Sequence, residues 1–98
     1  MSFKLRLTDE AIKDIQKHKN SGDKKILKKI GILLEELKEH PRTGTGQPEK
    51  LRYNLEGLYS RRINRKHRLV YAIKDDIVTV LILSAYAHYG DKWNQNSI

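Results

Sequence analysis

The stretch Ile77-Val78-Thr79-Val80-Leu81-Ile82-Leu83 is apolar at nearly every position and contains no charged residue. A strand with one buried face alternates apolar and polar residues, whereas a strand covered on both faces is apolar almost throughout. The stretch therefore predicts a strand from Ile77 to Tyr86 that lies centrally in a sheet.

Two further strands are predicted immediately before it, over Leu58–Ile63 and Arg68–Ile73. The intervening segments, 64–67 and 74–76, are short enough to make antiparallel hairpins. A polar loop that contains two glycines and a proline, over 42–48, precedes this half of the chain. The C-terminal half is thus predicted to form an antiparallel β-meander.

The N-terminal half has the pattern of one strand and two helices. Apolar residues alternate with basic ones over 3–7, which predicts a strand with one buried face. Thr8 can cap a first helix that runs to about Lys19, and apolar residues at helical spacing predict a second helix from Ile26 to Leu37. Because the loop between them is short, the helices should form an antiparallel hairpin. The fold class is therefore α+β: an N-terminal strand, a two-helix antiparallel hairpin and an antiparallel β-meander.

The length of 98 residues allows one domain with a modest core. We expect residues 1–90 to form that domain and residues 91–98, which are largely polar, to be a C-terminal tail. The chain has no cysteine, and its four histidines lie in no metal-ligand spacing. It has no apolar stretch of membrane-spanning length and no signal-peptide core. These features predict a cytoplasmic protein without a structural metal.

Positive charge dominates the surface chemistry. The chain carries 20 Lys and Arg residues against 12 Asp and Glu residues, a net charge of +8. Between Arg42 and Arg68 there are eight basic residues and only two acids, Glu49 and Glu56. Such a protein is attracted to polyanions, so a nucleic acid is the first partner to consider. The alternative is that these basic residues only solvate the surface.

A ribonuclease that uses no metal needs a base for the ribose 2′-hydroxyl, cations around the phosphate and an acid for the leaving 5′-oxygen. Glu49 is the only acid between Arg42 and Leu55, and it could be either the base or half of a surface ion pair. His88 follows the last predicted strand, and it could be either the acid or a structural residue.

Arginines suited to holding phosphate oxygens lie at the ends of the predicted strands: Arg61, Arg62 and Arg68. Side chains alternate between faces along a strand. Arg62 and Arg68 therefore share a face only if their hairpin pairs residues whose numbers sum to an even value. The residue pattern leaves this register open. It also allows that one arginine binds phosphate while the others cover the sheet edge.

The order of residues is more informative than any single one. A close resemblance to the YoeB branch of the RelE/ParE toxin superfamily is carried by GTGQPEKLRYNLEGLYSRRI (44–63), HRLVYA (67–72) and YAHY (86–89). These stretches lie within residues 44–89, a span of about half of the chain. Family members commonly stop at about the final His-Tyr pair, whereas this chain continues to Ile98.

The resemblance implies a RelE/ParE-like microbial ribonuclease fold and a type II toxin that cleaves messenger RNA in the ribosomal A site. It implies metal-independent acid–base catalysis through a 2′,3′-cyclic phosphate, with no cofactor. By position, Glu49 would be the general base, Arg68 the cation on the scissile phosphate, and His88, beside Tyr89, the general acid. The residues expected to hold RNA or phosphate around them are Lys50, Arg52, Arg61 and Arg62.

The implied partners are messenger RNA on the small ribosomal subunit and a cognate YefM/Phd-like antitoxin. Operator DNA would be bound only by the toxin–antitoxin complex, and the resemblance also allows a homodimer. The main alternative is a ParE-like protein that shares the fold and inhibits DNA gyrase without catalysis. ParE-like proteins generally lack a combined Glu, Arg and His site, so Glu49, Arg68 and His88 argue against that alternative.

Overall fold

Five strands and two α-helices follow one another in the computed structural model, which describes residues 2–51 and 57–86. Their order is β1 (Lys4–Leu7), α1 (Asp9–Ser21), α2 (Lys24–Glu39), β2 (Glu49–Lys50), β3 (Leu58–Arg62), β4 (Arg68–Lys74) and β5 (Thr79–Ser84). A short 3-10 turn, Asp75–Ile77, connects β4 to β5. This order confirms the predicted α+β fold class.

Both helices begin where a side chain caps the backbone. The Thr8 hydroxyl and the Asp23 carboxylate each accept a hydrogen bond from an N–H of the first turn, at 3.1 Å. α1 ends at Gly22, whose φ of 76° lies in the left-handed region that glycine adopts without strain. Among the described residues, neither helix is long and apolar enough to cross a membrane.

The strands form one sheet in the order β1-β5-β4-β3-β2. β1 runs parallel to β5, and every other neighbouring pair is antiparallel. β5 therefore has a hydrogen-bonded strand on each side, which confirms that the apolar stretch is an internal strand. It begins at Thr79 instead of Ile77, because the 3-10 turn and the left-handed Val78 (φ 47°) redirect the chain first.

The helices pack on one face of the sheet. The core between them includes Ile30, Leu33 and Leu37 of α2 together with Leu69, Tyr71, Val80 and Ile82 of the sheet. Burying each large apolar side chain of this kind stabilises the fold by roughly 1.5–3 kcal/mol. Because side chains alternate along a strand, the intervening residues belong to the opposite face. We call this the site face, since it carries Glu49, Ser60, Arg62 and Arg68.

Candidate active site

The register of the β3–β4 hairpin places two of the candidate arginines on one face. Arg62 lies directly opposite Arg68 across the two strands. The turn is closed by Asn64, whose side-chain oxygen accepts hydrogen bonds from the N–H groups of Lys66 at 2.9 Å and His67 at 2.7 Å. Paired residue numbers therefore sum to an even value, which settles the question that the sequence left open.

Glu49 and Arg68 meet on the site face. β2 pairs with β3 so that Glu49 lies opposite Ser60. Glu49 Oε1 and Arg68 Nη1 are 3.5 Å apart. The Glu49 side chain is 54% exposed, whereas that of Arg68 is 13% exposed. A carboxylate open to solvent thus stands beside a guanidinium that the protein largely surrounds.

Ser60 orients the guanidinium. Its hydroxyl accepts a hydrogen bond from Arg68 Nη1 at 3.2 Å, and the residue has no exposed surface. One nitrogen of Arg68 is therefore shared between the Glu49 carboxylate and the Ser60 hydroxyl. Sequence reasoning did not single out Ser60. Strand alternation could have found it, because it lies two residues before Arg62 on the same face of β3.

This arrangement can supply two components of phosphodiester cleavage. A solvent-open carboxylate can accept a proton from a hydroxyl, and a guanidinium can donate several hydrogen bonds to phosphate oxygens. The 3.5 Å separation between Glu49 and Arg68 exceeds the roughly 2.7–2.9 Å of a tight charge-assisted hydrogen bond. The contact between Glu49 and Arg68 is therefore an ion pair without the short distance of a tight charge-assisted hydrogen bond. Residues 2–51 and 57–86 contain no group of three His, Asp or Glu side chains placed as metal ligands would be.

Arg61 lies in the interior on the opposite face of β3 and has no exposed surface. Its guanidinium donates to the Tyr71 hydroxyl and to Glu36 Oε1, each at 3.1 Å, and to the carbonyl oxygens of three residues between α2 and β2. All five of its N–H donors are therefore directed at protein atoms. The expectation that Arg61 contacts RNA is corrected by this burial. Adjacent strand residues face opposite ways, so only Arg62 of the pair reaches solvent.

The same contacts hold the loop that leads to Glu49. Glu36 Oε1 also accepts a hydrogen bond from the Thr45 N–H at 2.7 Å. Hydrogen bonds from the Thr45 hydroxyl and N–H, with a smaller contribution from the neighbouring guanidinium, lower the pKa of Glu36. A Cβ at Gly46 would stand 3.0 Å from the Arg62 backbone oxygen, so only glycine lets the loop lie this close to β3. Glu36 and Gly46 are thus positioning residues that the sequence did not reveal.

The two remaining RNA-contact candidates within the described residues differ in placement. Arg62 is exposed on the site face, directly opposite Arg68. Lys50 is also exposed, but it lies opposite Tyr59, so its strand position belongs to the other face from that of Glu49. Arg62 therefore adjoins the Glu49–Arg68 pair directly, whereas Lys50 lies at the sheet edge beside it.

Three other predicted site residues lie outside the described part of the chain: Arg52, His88 and Tyr89. The tail 91–98 lies outside it as well. The roles assigned to these residues stay predictions.

Comparison with known proteins gives this geometry a family context. The model of the YoeB-like toxin of bacterial type II toxin–antitoxin systems matches residues 7–89. The Toxin YoeB of Escherichia coli (strain K12) is 48% identical over 67 residues, which make up 68% of this chain and 77% of that relative. The agreement therefore extends over most of the domain.

Two solved structures are similar in fold and in sequence. The YoeB dimer from Staphylococcus aureus has a TM-score of 0.75 and 40% identity, covering 89% of this chain and 98% of that chain. The YoeB–YefM complex from the same organism has a TM-score of 0.74 and 39% identity, and the match covers 89% of this chain and 98% of that chain. Since the family model, the sequence identity and the fold all agree, this chain belongs to the YoeB-like toxins of bacterial type II toxin–antitoxin systems, within the RelE/ParE superfamily.

Proposed function

We propose that this toxin is an endoribonuclease that cleaves messenger RNA in the ribosomal A site by acid–base catalysis without a metal ion. The observation that carries the proposal is the meeting of Glu49 and Arg68, whose charged atoms are 3.5 Å apart on the site face. A base and a phosphate-binding cation must both reach one scissile bond, and this pair meets that requirement. A protein that only binds gyrase has no chemical need for it.

The proposed reaction begins at the ribose 2′-hydroxyl. Glu49 accepts the hydroxyl proton while the 2′-oxygen attacks the adjacent phosphorus. The P–O5′ bond breaks, and His88 donates a proton to the departing 5′-oxygen. The products are a 2′,3′-cyclic phosphate on the upstream fragment and a 5′-hydroxyl on the downstream fragment. Proton transfer of this kind typically contributes 10²–10⁴-fold in rate.

Arg68 acts on the phosphate itself. Negative charge on the nonbridging oxygens grows as the 2′-oxygen attacks, so a guanidinium held in place beforehand stabilises the transition state more than the ground state. The hydrogen bond from Arg68 to the buried Ser60 hydroxyl supplies that fixed orientation. Arg62, exposed opposite Arg68, extends the cationic surface for the RNA strand. Lys50 and Arg52 are proposed to contact the strand nearby, and Tyr89 the reacting nucleotide.

The partners follow from the family. A relative from Staphylococcus aureus has been solved as a YoeB–YefM complex. We infer a YefM/Phd-like antitoxin for this chain, with operator DNA bound only by the toxin–antitoxin complex. Another structure from that organism is a YoeB dimer, so a homodimer is proposed as a second assembly. The messenger on the small ribosomal subunit places the site of action in the cytoplasm.

A translation reaction tests the proposal with a messenger of defined sequence. Purified toxin should produce cuts in the A-site codon, and the upstream fragments should end in a 2′,3′-cyclic phosphate. A messenger with a single 2′-deoxynucleotide on the 5′ side of the cut should resist cleavage, because the attacking hydroxyl is absent. Cleavage of the deoxy messenger would indicate an activated water instead and would overturn the mechanism. Intact messenger together with inhibited DNA supercoiling would favour the gyrase alternative.

A further inference from the structure

A groove of about 390 Å³ lies beside the candidate active site. It runs between α2 and the turn that joins β3 to β4, and the loop before β2 forms part of its wall. The residues that line it are Lys29, Gly46, Gln47, Arg62, Ile63, Asn64 and Arg65. Of these residues, only Arg62 has a role in the proposed reaction.

The groove gathers positive charge from three separate elements. Lys29 comes from α2, Arg62 from the end of β3 and Arg65 from the following turn, and none of the described residues that line the groove is acidic. Over residues 2–51 and 57–86 none of these three cations takes part in an ion pair. Elsewhere on the protein a cation does have a counter-charge, as Arg42 has in Asp75 at 2.7 Å. Three convergent cations that lack a counter-charge form a site for an anion with several charges.

The groove has a defined shape. The Arg62 N–H donates to the Gly46 carbonyl at 2.7 Å, which holds the loop against the end of β3. The Asn64 side chain closes the turn through two backbone N–H groups. Hydrogen bonds therefore fix the walls of the groove, and the backbone that carries Arg62 and Arg65 is already in place before a ligand binds.

The groove is continuous with the Glu49–Arg68 site. Arg62 lines the groove and also lies opposite Arg68 across the antiparallel pair. Opposed residues of such a pair have Cα atoms about 4.5–5.5 Å apart. A strand with one phosphate on Arg68 can therefore pass over Arg62 and enter the groove.

We propose that this groove binds the phosphodiester backbone of the substrate RNA, one or more nucleotides away from the scissile bond, with Lys29 and Arg65 as its phosphate-binding residues. The inference rests on the proposed function, because it assigns the strand that occupies the groove to the RNA held at Glu49 and Arg68. The contacts are to phosphate, so the groove contributes affinity and direction of the strand without reading its sequence.

The lining favours RNA over an acidic peptide. A peptide segment that folds on binding needs apolar pockets for its anchoring side chains. Ile63, the one aliphatic side chain among the described residues that line the groove, is only 5% exposed and belongs to the core cluster. The large exposed apolar residues of the described chain, Ile12, Ile32 and Ile77, do not line the groove. A groove rich in cations and poor in apolar surface matches a phosphate backbone better.

The test measures binding of a single-stranded 2′-O-methyl RNA, which has no free 2′-hydroxyl to attack, over a range of salt concentrations. Each phosphate contact to a single strand contributes about 0.7 to the slope of log affinity against log salt. The double variant Lys29→Ala/Arg65→Ala should lower the magnitude of that slope by about 1.4 and weaken binding about tenfold at low salt. The charge-conserving variant Lys29→Arg/Arg65→Lys should retain the wild-type slope.

A matched control removes the same charge elsewhere. Lys13 and Lys19 are exposed on α1, away from the groove lining. Lys13→Ala/Lys19→Ala should change the slope by less than half as much as the groove variant. Equal slopes for the two double variants, with native circular dichroism for both, would overturn the proposal. The proposal would also be overturned if the groove variant bound RNA as the control variant does and lost affinity only for the antitoxin. The same holds if the groove variant lost affinity only for ribosomes that carry no messenger.

The failure of this proposal is separable from the failure of the proposed function. If the wild-type protein cleaves messenger on the ribosome but the groove variant keeps the wild-type salt slope of RNA binding, only the groove proposal is wrong. If the wild-type protein never cleaves messenger but Lys29→Ala/Arg65→Ala weakens RNA binding, the nuclease proposal is wrong and the groove remains an RNA-binding site.

Discussion

At the scale of single residues, Arg61 and Arg62 are neighbours with different roles. Moving a guanidinium out of water costs several kcal/mol unless the protein replaces its hydrogen bonds. Arg61 receives that replacement from a carboxylate, a phenol and three carbonyl oxygens. Arg62 stays exposed and keeps its charge available to a ligand. The sequence shows two arginines, and only the direction of each side chain separates a structural residue from a binding residue.

Replacing each arginine in turn tests this division. Arg61→Ala should lower the free energy of unfolding by about 3–5 kcal/mol, because the Glu36 carboxylate loses its ion-pair partner and three part-buried carbonyl groups lose their donor. Arg62→Ala is the matched control and should change it by less than about 0.5 kcal/mol. Urea unfolding followed by circular dichroism measures both values. Similar losses for the two variants would contradict the structural role of Arg61.

The proposed proton acceptor in cleavage is the Glu49 carboxylate. Glu49→Gln keeps the size of the side chain but removes the proton acceptor, so the single-turnover cleavage rate on programmed ribosomes should fall about 10²–10⁴-fold. Binding to those ribosomes should be kept. Glu39→Gln removes another exposed carboxylate, one that accepts a hydrogen bond from Ser2, and serves as the control. Cleavage by Glu49→Gln at the wild-type rate would end the general-base assignment.

At the scale of elements, side chains of α1 hold the chain just after β5. The Ala85 N–H donates to Asp14 Oδ2 at 2.9 Å, and His18 Nε2 donates to the Ala85 carbonyl at 2.8 Å. The ring of His18 is 4.5 Å from that of His67, which follows the β3–β4 turn, and Tyr86 lies 4.6 Å from His67. Three segments of the chain therefore meet at two buried histidines.

This cluster predicts a loss of stability in mild acid. Burial, and then the nearby His18 and Lys66, lower the pKa of His67 from its ordinary value of 6.5, and the attraction of more distant carboxylates only partly opposes this. The unfolded chain therefore binds more protons than the folded one once the pH falls below about 6.5. The stabilisation by neutral His67 is complete above that pH and is lost as the pH falls toward the lowered pKa.

Urea unfolding at about pH 8 and about pH 5.5 checks this sign, because the interval spans the ordinary titration range of histidine. The wild-type protein should lose stability between the two, and His67→Gln, which cannot take up a proton, should lose less. His40→Gln is the control, since His40 is exposed at the end of α2. If His67→Gln and wild type lose the same stability, another group is responsible for the pH dependence.

The elements also show where prediction from sequence ends. Apolar periodicity and the caps Thr8 and Asp23 define the helices because these are local features. The pairing of β1 with β5 is parallel and spans nearly the whole chain, so no local pattern reveals it. Likewise, Glu49 reaches Arg68 only through the registers of β2 with β3 and β3 with β4. The sequence supplied the candidates Glu49 and Arg68, whereas hairpin geometry decided that they meet.

At the scale of the whole molecule, the two faces of the sheet differ, because one contains the core and the other carries the candidate site. One face packs on the helices and contains the core, and the site face carries Glu49, Arg62 and Arg68. The net charge of +8 favours approach of any polyanion, including the proposed RNA substrate. Arg61, one of the expected RNA contacts, has no exposed surface that a ligand could touch. Composition therefore predicts a polyanionic partner, and the layered fold determines which cations such a partner could touch.

The same charge governs the last prediction, which concerns the antitoxin. We expect an acidic antitoxin segment to cover the site face, so raising the salt concentration from about 0.05 M to about 0.5 M should weaken the complex at least about tenfold through screening. Arg62→Ala should weaken the complex at low salt and reduce its salt dependence. Glu49→Gln, which removes a negative charge from the same face, should bind at least as tightly as wild type. Titration calorimetry measures all three, and a complex insensitive to salt would mean that apolar burial, not charge, holds the antitoxin.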